Sequence, residues 1–221
     1  MTSLPPIVPI FPLPSVVLFP STVVSLHVFE PRYRQMVRDT SEGPGLIGLA
    51  LLKPGEADEP SGPPAFHELG TVGRIEQLAR LPDGRFTLGL VGLARVRYHE
   101  VVSDKPYRLA RVVPIPETAV DDEEDEQLVR AKLDLLAAQA MLSRELGGED
   151  DPTLIFDERM PFALAVNGAC ANLPVTAELR QELLALDDIH ERQRRASRLI
   201  TGLLESVMRL KTPVDQGEPG S

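Results

Sequence analysis

The feature that most constrains this chain is a change in the spacing of its apolar residues at the acidic run Asp121-Asp-Glu-Glu-Asp-Glu126. Before the run, apolar stretches are short, rich in Val, Ile and Leu, and punctuated by Pro and Gly. After it they lengthen and recur at intervals of three and four, the repeat that gathers them on one helix face. Strands followed by helices argue for an α+β fold and against a parallel sheet wound with crossover helices. The expected organisation is a β lobe over residues 1–118, a helical lobe over 119–211 and a frayed tail over 212–221.

In the first part, strands are expected at Ile7–Phe11, Thr22–Val28, Leu46–Leu52, Thr71–Leu78, Phe86–Val91, Arg95–Val102 and Tyr107–Val113. Leu81-Pro-Asp-Gly84 has the chemistry of a tight turn. Pro82 presets φ, Asp83 can bond its own backbone and Gly84 accepts a positive φ. It should close a hairpin between Gly73–Arg80 and Arg85–Val91. Lys53–Pro64 reads as an exposed loop. One helix interrupts the strands, starting at Glu30-Pro31, where a proline sacrifices no needed donor. Tyr33, Met36 and Val37 then share its inner face. Strands this short, joined by hairpins, point to a barrel or sandwich-like lobe.

In the second part, a helix should start in the acidic run and stop at Gly147-Gly148. Pro161–Ala171 and Thr176–Leu186 read as two more, separated by Leu173-Pro174. The last helix begins at Asp187 or Asp188, either able to cap it. Its stripe of Ala196, Leu199, Ile200, Leu203, Val207 and Leu210 should pack on the others. No internal repeat is visible.

Composition narrows the function classes. The formal net charge of −10 repels phosphate backbones and anionic lipid on average, so neither nucleic acid nor membrane is an expected partner. Cys170 is the only cysteine, which rules out an internal disulfide or a multi-cysteine zinc site and fits a reducing compartment. Prolines break the N-terminal apolar stretch, no basic segment precedes it, and no stretch is long enough to cross a bilayer. The chain is expected to be cytoplasmic.

Two segments carry a family resemblance. One is Ile10-Phe-Pro-Leu13, Val17-Leu-Phe-Pro20 and Leu26-His-Val-Phe-Glu-Pro-Arg-Tyr-Arg34, with Met36-Val37 behind it. The other is Leu69-Gly-Thr-Val-Gly-Arg-Ile75, Leu81-Pro-Asp-Gly-Arg85, Gly92, Arg95, and Pro106-Tyr107 leading to Ala110. In order and spacing this set resembles the N-terminal, substrate-binding domain of the Lon protease, a family related to the Lon-like domain of cereblon. The resemblance implies a PUA-like β pseudo-barrel followed by a C-terminal helical bundle, and a role in substrate recognition. It does not extend to catalysis. No G-x-x-x-x-G-K-[ST] phosphate loop occurs, and Gly43-Pro-Gly45 is only a short turn.

A search for other chemistry returns structural readings. His27, His67, His99 and His190 are scattered, without metal-ligand spacing. No G-x-S-x-G elbow is present. Cys170 sits in an apolar stretch, where a buried thiol is inert. The acidic run lacks the alternation of a calcium loop and suits a helix N-terminus. Arg192, Arg194, Arg195 and Arg198 suit an internally ion-paired face, since no aromatics interleave for base stacking. Asp83 and Arg85 suit the turn.

The segment Glu30–Arg34 has two readings: a strand-to-helix joint, with an arginine paired to a carboxylate, or a peptide-binding patch of Phe29, Arg32 and Arg34. The joint is the stronger reading, and the patch is the candidate site. The expected function is non-catalytic binding of unfolded or extended polypeptide or of a protein partner, linked to protein degradation or quality control. Binding would use a groove between the β lobe and the helices or an exposed strand edge that accepts an extended peptide. No catalytic residue, cofactor or metal is expected. The alternatives are a small-molecule hydrolase with an unrecognised pocket and, on the PUA-like fold alone, an RNA-binding protein.

Overall fold

A computed structural model describes residues 4–54, 64–117, 125–147 and 160–211. Most of the expected loop 53–64, the acidic residues 121–124, Gly148 and the tail 212–221 lie outside the described residues. Within them the strands are β1 (Ile7–Leu13), β2 (Val23–Val28), β3 (Leu46–Leu51), β4 (Leu69–Arg80), β5 (Phe86–Val101) and β6 (Arg108–Pro114). The helices are α1 (Pro31–Ser41), α2 (Glu126–Glu145), α3 (Phe162–Ala171), α4 (Ala177–Ala185) and α5 (Ile189–Lys211). The fold is α+β.

The strands form one sheet in the order β2-β5-β4-β3-β1-β6, and a further β5–β6 pairing joins its end back to β5. Five strands therefore close a ring, while β2 lies outside it. One edge of β5 makes this possible: residues 86–91 pair with β2, and residues 96–101 pair with β6. All neighbours are antiparallel except β1 and β3, which run parallel with β2 and α1 between them in the chain.

Two expected strands, Phe86–Val91 and Arg95–Val102, are a single strand. Their apparent break is a bulge: Val72 faces Ala94 and Gly73 faces Gly92, leaving Leu93 unmatched. One extra residue turns the following side chains to the other face of the sheet. Leu88 and Leu90 thus pack beneath α1 with Tyr33, Met36 and Val37. Beyond the bulge, Val96 and Tyr98 fill the ring with Val8, Ile10, Leu46, Ala50, Val72, Ala110 and Val112. Glycine is required at the bulge because a Cβ on Gly92 would collide with the Phe19 carbonyl oxygen. That close approach lets Ser21 donate to the Gly92 carbonyl at 2.8 Å, and Gly92 to that of Thr22 at 2.9 Å, so the β1–β2 connection is tied down there.

The hairpin forms where expected, with Leu81 N–H donating to the Arg85 carbonyl at 2.8 Å and Gly84 at φ +79. Helix α1 starts at Pro31, but the Glu30 carboxylate does not cap it. It accepts from Arg32 Nε at 2.9 Å instead.

Helix α2 is capped by Asp125, whose carboxylate accepts from the N–H groups of Gln127 and Leu128. Asp188, the second of the two expected caps for α5, accepts from His190 N–H at 2.9 Å. Helices α2 to α5 share one apolar core with Val17, Phe19 and Leu51 of the strand-bearing part. In α5, Ala196 and Ile200 are fully buried, but Leu210 is 87% exposed, because the expected stripe outruns the helices it packs on. No helix among the described residues is long and apolar enough to cross a membrane.

Two buried arginines join the strands to the helices. Arg95, just past the bulge, donates to the carbonyls of Leu184 and Leu186 and to the Asp187 carboxylate at 2.9, 3.0 and 3.0 Å. Arg192, in the first turn of α5, donates to the Leu183 and Leu186 carbonyls, Asn167 Oδ1 and Glu117 Oε1. Both arginine side chains are wholly buried, and the Glu117 carboxylate lies between them. Burial and the nearby Arg192 guanidinium pull the Arg95 pKa down, and Glu117 and Asp187 oppose them.

Candidate functional site

Where β1 ends, β2 passes into α1 and β6 begins, the chain leaves a groove of about 340 Å³. The pairings explain the opening. β6 meets β1 only over Ile7–Ile10, so the last residues of β1 have β3 on one side and no strand on the other. Pro12 has no N–H to offer a strand there. The apolar lining comes from Phe11, Leu13, Leu52 and the ring of Tyr33, which stacks on Phe11 at 4.5 Å. Phe29 stands at the rim, 62% exposed.

The polar groups are mostly spoken for. Arg32 lies over the Tyr33 ring at 4.6 Å and is ion-paired to Glu30. Arg108 lies over the Phe66 ring at 4.3 Å, donates to both Glu100 carboxylate oxygens and bonds the Pro64 carbonyl. The exceptions are Tyr33 and the exposed His27. For Tyr33 the position matters. The residue is nearly fully buried, and its hydroxyl, itself not buried, opens to the groove and forms no hydrogen bond among the described residues. Burial raises its pKa, with Arg32 opposing, so the phenol stays a neutral donor and acceptor.

A second, more polar groove of about 500 Å³ adjoins the first and shares Arg32, Tyr33 and Arg108 with it. Beside it Asp39 accepts from Tyr107 Oη, Lys105 Nζ and Gln35 Nε2 at 2.7, 2.9 and 2.5 Å. The Tyr107 hydrogen bond is the main reason its carboxyl falls to about 2. A third groove, of about 410 Å³, lies at the other end of β2, between Ser21–Val23 and helices α2 and α3. Gln139 lines it, and its buried Oε1 accepts no hydrogen bond.

Two of the three residues in the expected patch come together here. Phe29 and Arg32 line the first groove. Arg34 does not: its guanidinium fills the space over Gly84 at the β4–β5 turn. Asp83 and Arg85 serve that turn, the carboxylate accepting from both the backbone and the side chain of Arg85. Sequence reasoning missed Phe11, Leu52 and Arg108, since contributions from separated segments leave no spacing to find. Arg192 does not belong to a surface cluster with Arg194, Arg195 and Arg198, because it is buried in the joint described above.

Cys170 is fully buried, and burial pushes its thiol up to about 12. Among the described residues no group of three or more His, Cys, Asp or Glu side chains could hold a metal ion. The first groove offers an apolar wall, paired guanidiniums and a free hydroxyl. That combination suits adhesion to a chain with apolar side chains and backbone amides.

The profile of the ATP-dependent protease La (LON) substrate-binding domain family matches residues 7–202. The Lon protease 2 of Sorangium cellulosum is 33% identical over 218 residues, which cover 94% of this chain and 26% of that one. The Lon protease of Flavobacterium johnsoniae is 28% identical over 191 residues, covering 86% and 23%. The chain thus spans about a quarter of the length of these relatives. Among solved structures, a Lon N-terminal domain protein from Xanthomonas campestris is 28% identical, with a TM-score of 0.57 over 86% of this chain and 95% of that one. The N-terminal domain of a Mycobacterium avium complex Lon protease superposes with a TM-score of 0.65 at 17% identity, covering 88% and 98%, which is a likeness of fold.

Proposed function

We propose, from the premise that this chain belongs to the ATP-dependent protease La (LON) substrate-binding domain family, that it is a non-catalytic module for unfolded or extended polypeptide or for a protein partner. The observation that carries the reading is the groove beside Phe29: a large aromatic left mostly in solvent, next to an apolar hollow with one free hydroxyl. Exposed aromatics flanking a hollow are the usual anchors of a protein interface. On this reading Phe29 and Arg32 grip the bound segment, and Arg34 supports the groove through the β4–β5 turn. The module would act in the cytoplasm and pass its cargo to a degradation or quality-control machine. On this reading the closed ring belongs to a PUA-like pseudo-barrel lobe, with bounds expected at 1–118, and α2 to α5 belong to a helical bundle lobe, with bounds expected at 119–211. Nucleic acid and membrane are not its partners, in keeping with the net charge of −10.

The test is a fluorescence-anisotropy titration with a labelled, permanently unfolded protein. Wild type should bind, and Phe29→Ala should weaken binding by about tenfold or more at unchanged stability, since little of Phe29 is buried. Absence of binding to any polypeptide would sink the proposal, and a Phe29→Ala protein that binds like wild type would remove the groove from it.

A further inference from the structure

We infer that the bound polypeptide adds as an extended strand to the free edge of β2, with its ends seated in the two grooves that flank that strand. This rests on the polypeptide-binding reading above and specifies how the segment is held.

The alternation of the ladder identifies the free groups. The Thr22 carbonyl faces β5, accepting from Gly92 N–H, so Val24, Leu26 and Val28 turn their backbone groups the same way. The other side of the ladder agrees. Leu81 bonds Arg85, so Thr87, Gly89 and Val91 face β4, while Phe86, Leu88 and Leu90 face their partners Val28, Leu26 and Val24. The N–H and C=O groups of Val23, Ser25 and His27 therefore point away from the sheet. Among the described residues they make no hydrogen bond and β2 has no neighbour but β5.

Proteins guard such edges with charged side chains, prolines or bulges, because an unpaired row of amides recruits other strands. Val23-Val-Ser-Leu-His-Val28 carries none of these. Its outward side chains are Val23, 65% exposed, with Ser25 and His27, and the exposed Phe29 follows. At the Val23 end lies the groove holding the unpartnered Gln139 oxygen. At the His27 end lies the groove holding the free Tyr33 hydroxyl.

A row of alternating donors and acceptors is complementary to one thing, another extended backbone. Six residues span roughly 20 Å, so the segment that fits carries apolar side chains about five residues apart, and a donor near Gln139. The strip is uncharged, so it favours a neutral apolar stretch of the kind unfolded chains expose. A second copy of this chain is the poorer occupant, because two bodies of charge −10 repel.

Residue-resolved amide exchange on wild type, with and without saturating unfolded reporter protein, tests the inference. The Val23, Ser25 and His27 amides should exchange quickly in the free protein and slow by about tenfold or more on binding. Those of Val24, Leu26 and Val28 should be slow throughout. Ser25→Pro removes one outward N–H while sparing the β5 ladder, so it should weaken reporter binding by about tenfold or more at near-normal stability. Ser25→Ala should bind as wild type. Reporter binding that leaves the Val23, Ser25 and His27 amides unchanged would overturn strand addition and leave the groove reading intact. Slowing of those amides with rising protein concentration alone would also overturn it, in favour of a second copy. No binding at all would defeat both readings.

Discussion

Replacing Arg192 by methionine probes the joint between strands and helices, and the structure sets the size of the effect. Methionine keeps much of the side-chain volume, so the cavity term is small. The hydrogen bonds are lost. The guanidinium supplies 3.1 and 2.6 Å bonds to the Leu183 and Leu186 carbonyls, and 2.6 and 2.5 Å bonds to Asn167 Oδ1 and Glu117 Oε1. The Leu186 carbonyl keeps a donor in Arg95, at 3.0 Å. The Leu183 carbonyl keeps the Leu186 N–H as a donor at 3.3 Å, so losing the guanidinium costs it only about 1 kcal/mol, whereas Asn167 Oδ1 loses its donor, at about 1–3 kcal/mol for a buried orphan. Losing the charge-assisted bond to Glu117 adds about 1.5 kcal/mol, and relief of the Arg95–Arg192 repulsion returns about 1 kcal/mol. The expected loss is about 3.5 kcal/mol, within the range for breaking one partner out of a buried ion pair. Because one apolar core spans both sides of the joint, unfolding should remain a single transition. In urea, with a slope of about 3 kcal/mol/M, the midpoint should fall by roughly 1.2 M. Arg198→Met, on the exposed side of the same helix, should change stability by less than about 0.5 kcal/mol. If Arg192→Met unfolds within about 1 kcal/mol of wild type at the same slope, the desolvation of two buried guanidiniums cancels their hydrogen bonds and the argument fails.

Two further outcomes follow from the titrating groups. The Asp39 carboxyl falls from 3.8 to about 2 in the folded chain, first through the Tyr107 hydrogen bond. A depressed folded pKa contributes stability above the unfolded value, so its contribution should be whole above about pH 4 and fade as pH drops towards 2. Its full shift corresponds to roughly 2.5 kcal/mol, which solvent screening at this partly exposed site reduces to about 1 kcal/mol. Asp39→Asn should remove that part of the acid limb in a pH series of melts, and an unaltered limb would refute the assignment. Cys170 should be alkylated in the native protein at about pH 8 only as fast as the structure opens, with urea restoring the rate of a free thiol. Native labelling at the free-thiol rate would contradict its burial.

Periodicity and turn chemistry made most elements legible in advance. The Leu81–Gly84 turn, the Pro31 start of α1 and the Asp188 cap of α5 depend on residues adjacent in the chain, and each formed where its local chemistry demanded. The break expected between Phe86–Val91 and Arg95–Val102 failed because a bulge and a chain break look alike in sequence. Only the β4 register separates them. Leu210 failed for a related reason, since a stripe records where a helix could pack and not where its partners stop.

The candidate site was legible only in its middle. Phe29 and Arg32 are close in sequence and were found together. Arg34, two residues on, turns to Gly84 because helix geometry carries it around α1 from Arg32. Phe11, Leu52, Pro64 and Arg108 reach the groove through ring closure, from segments with no sequence relation to one another.

By itself, then, the sequence determined the α+β class, the order of elements and the family motif, because these rest on repeats of two and of three to four residues and on local turn and cap chemistry. Tertiary structure alone decided that the sheet closes through β5 and β6, that Arg95 and Arg192 are buried around one carboxylate, and that β2 stays outside the ring with one edge unpaired among the described residues. Those outcomes depend on register and on contacts between distant segments, where a single inserted residue such as Leu93 redirects every side chain beyond it.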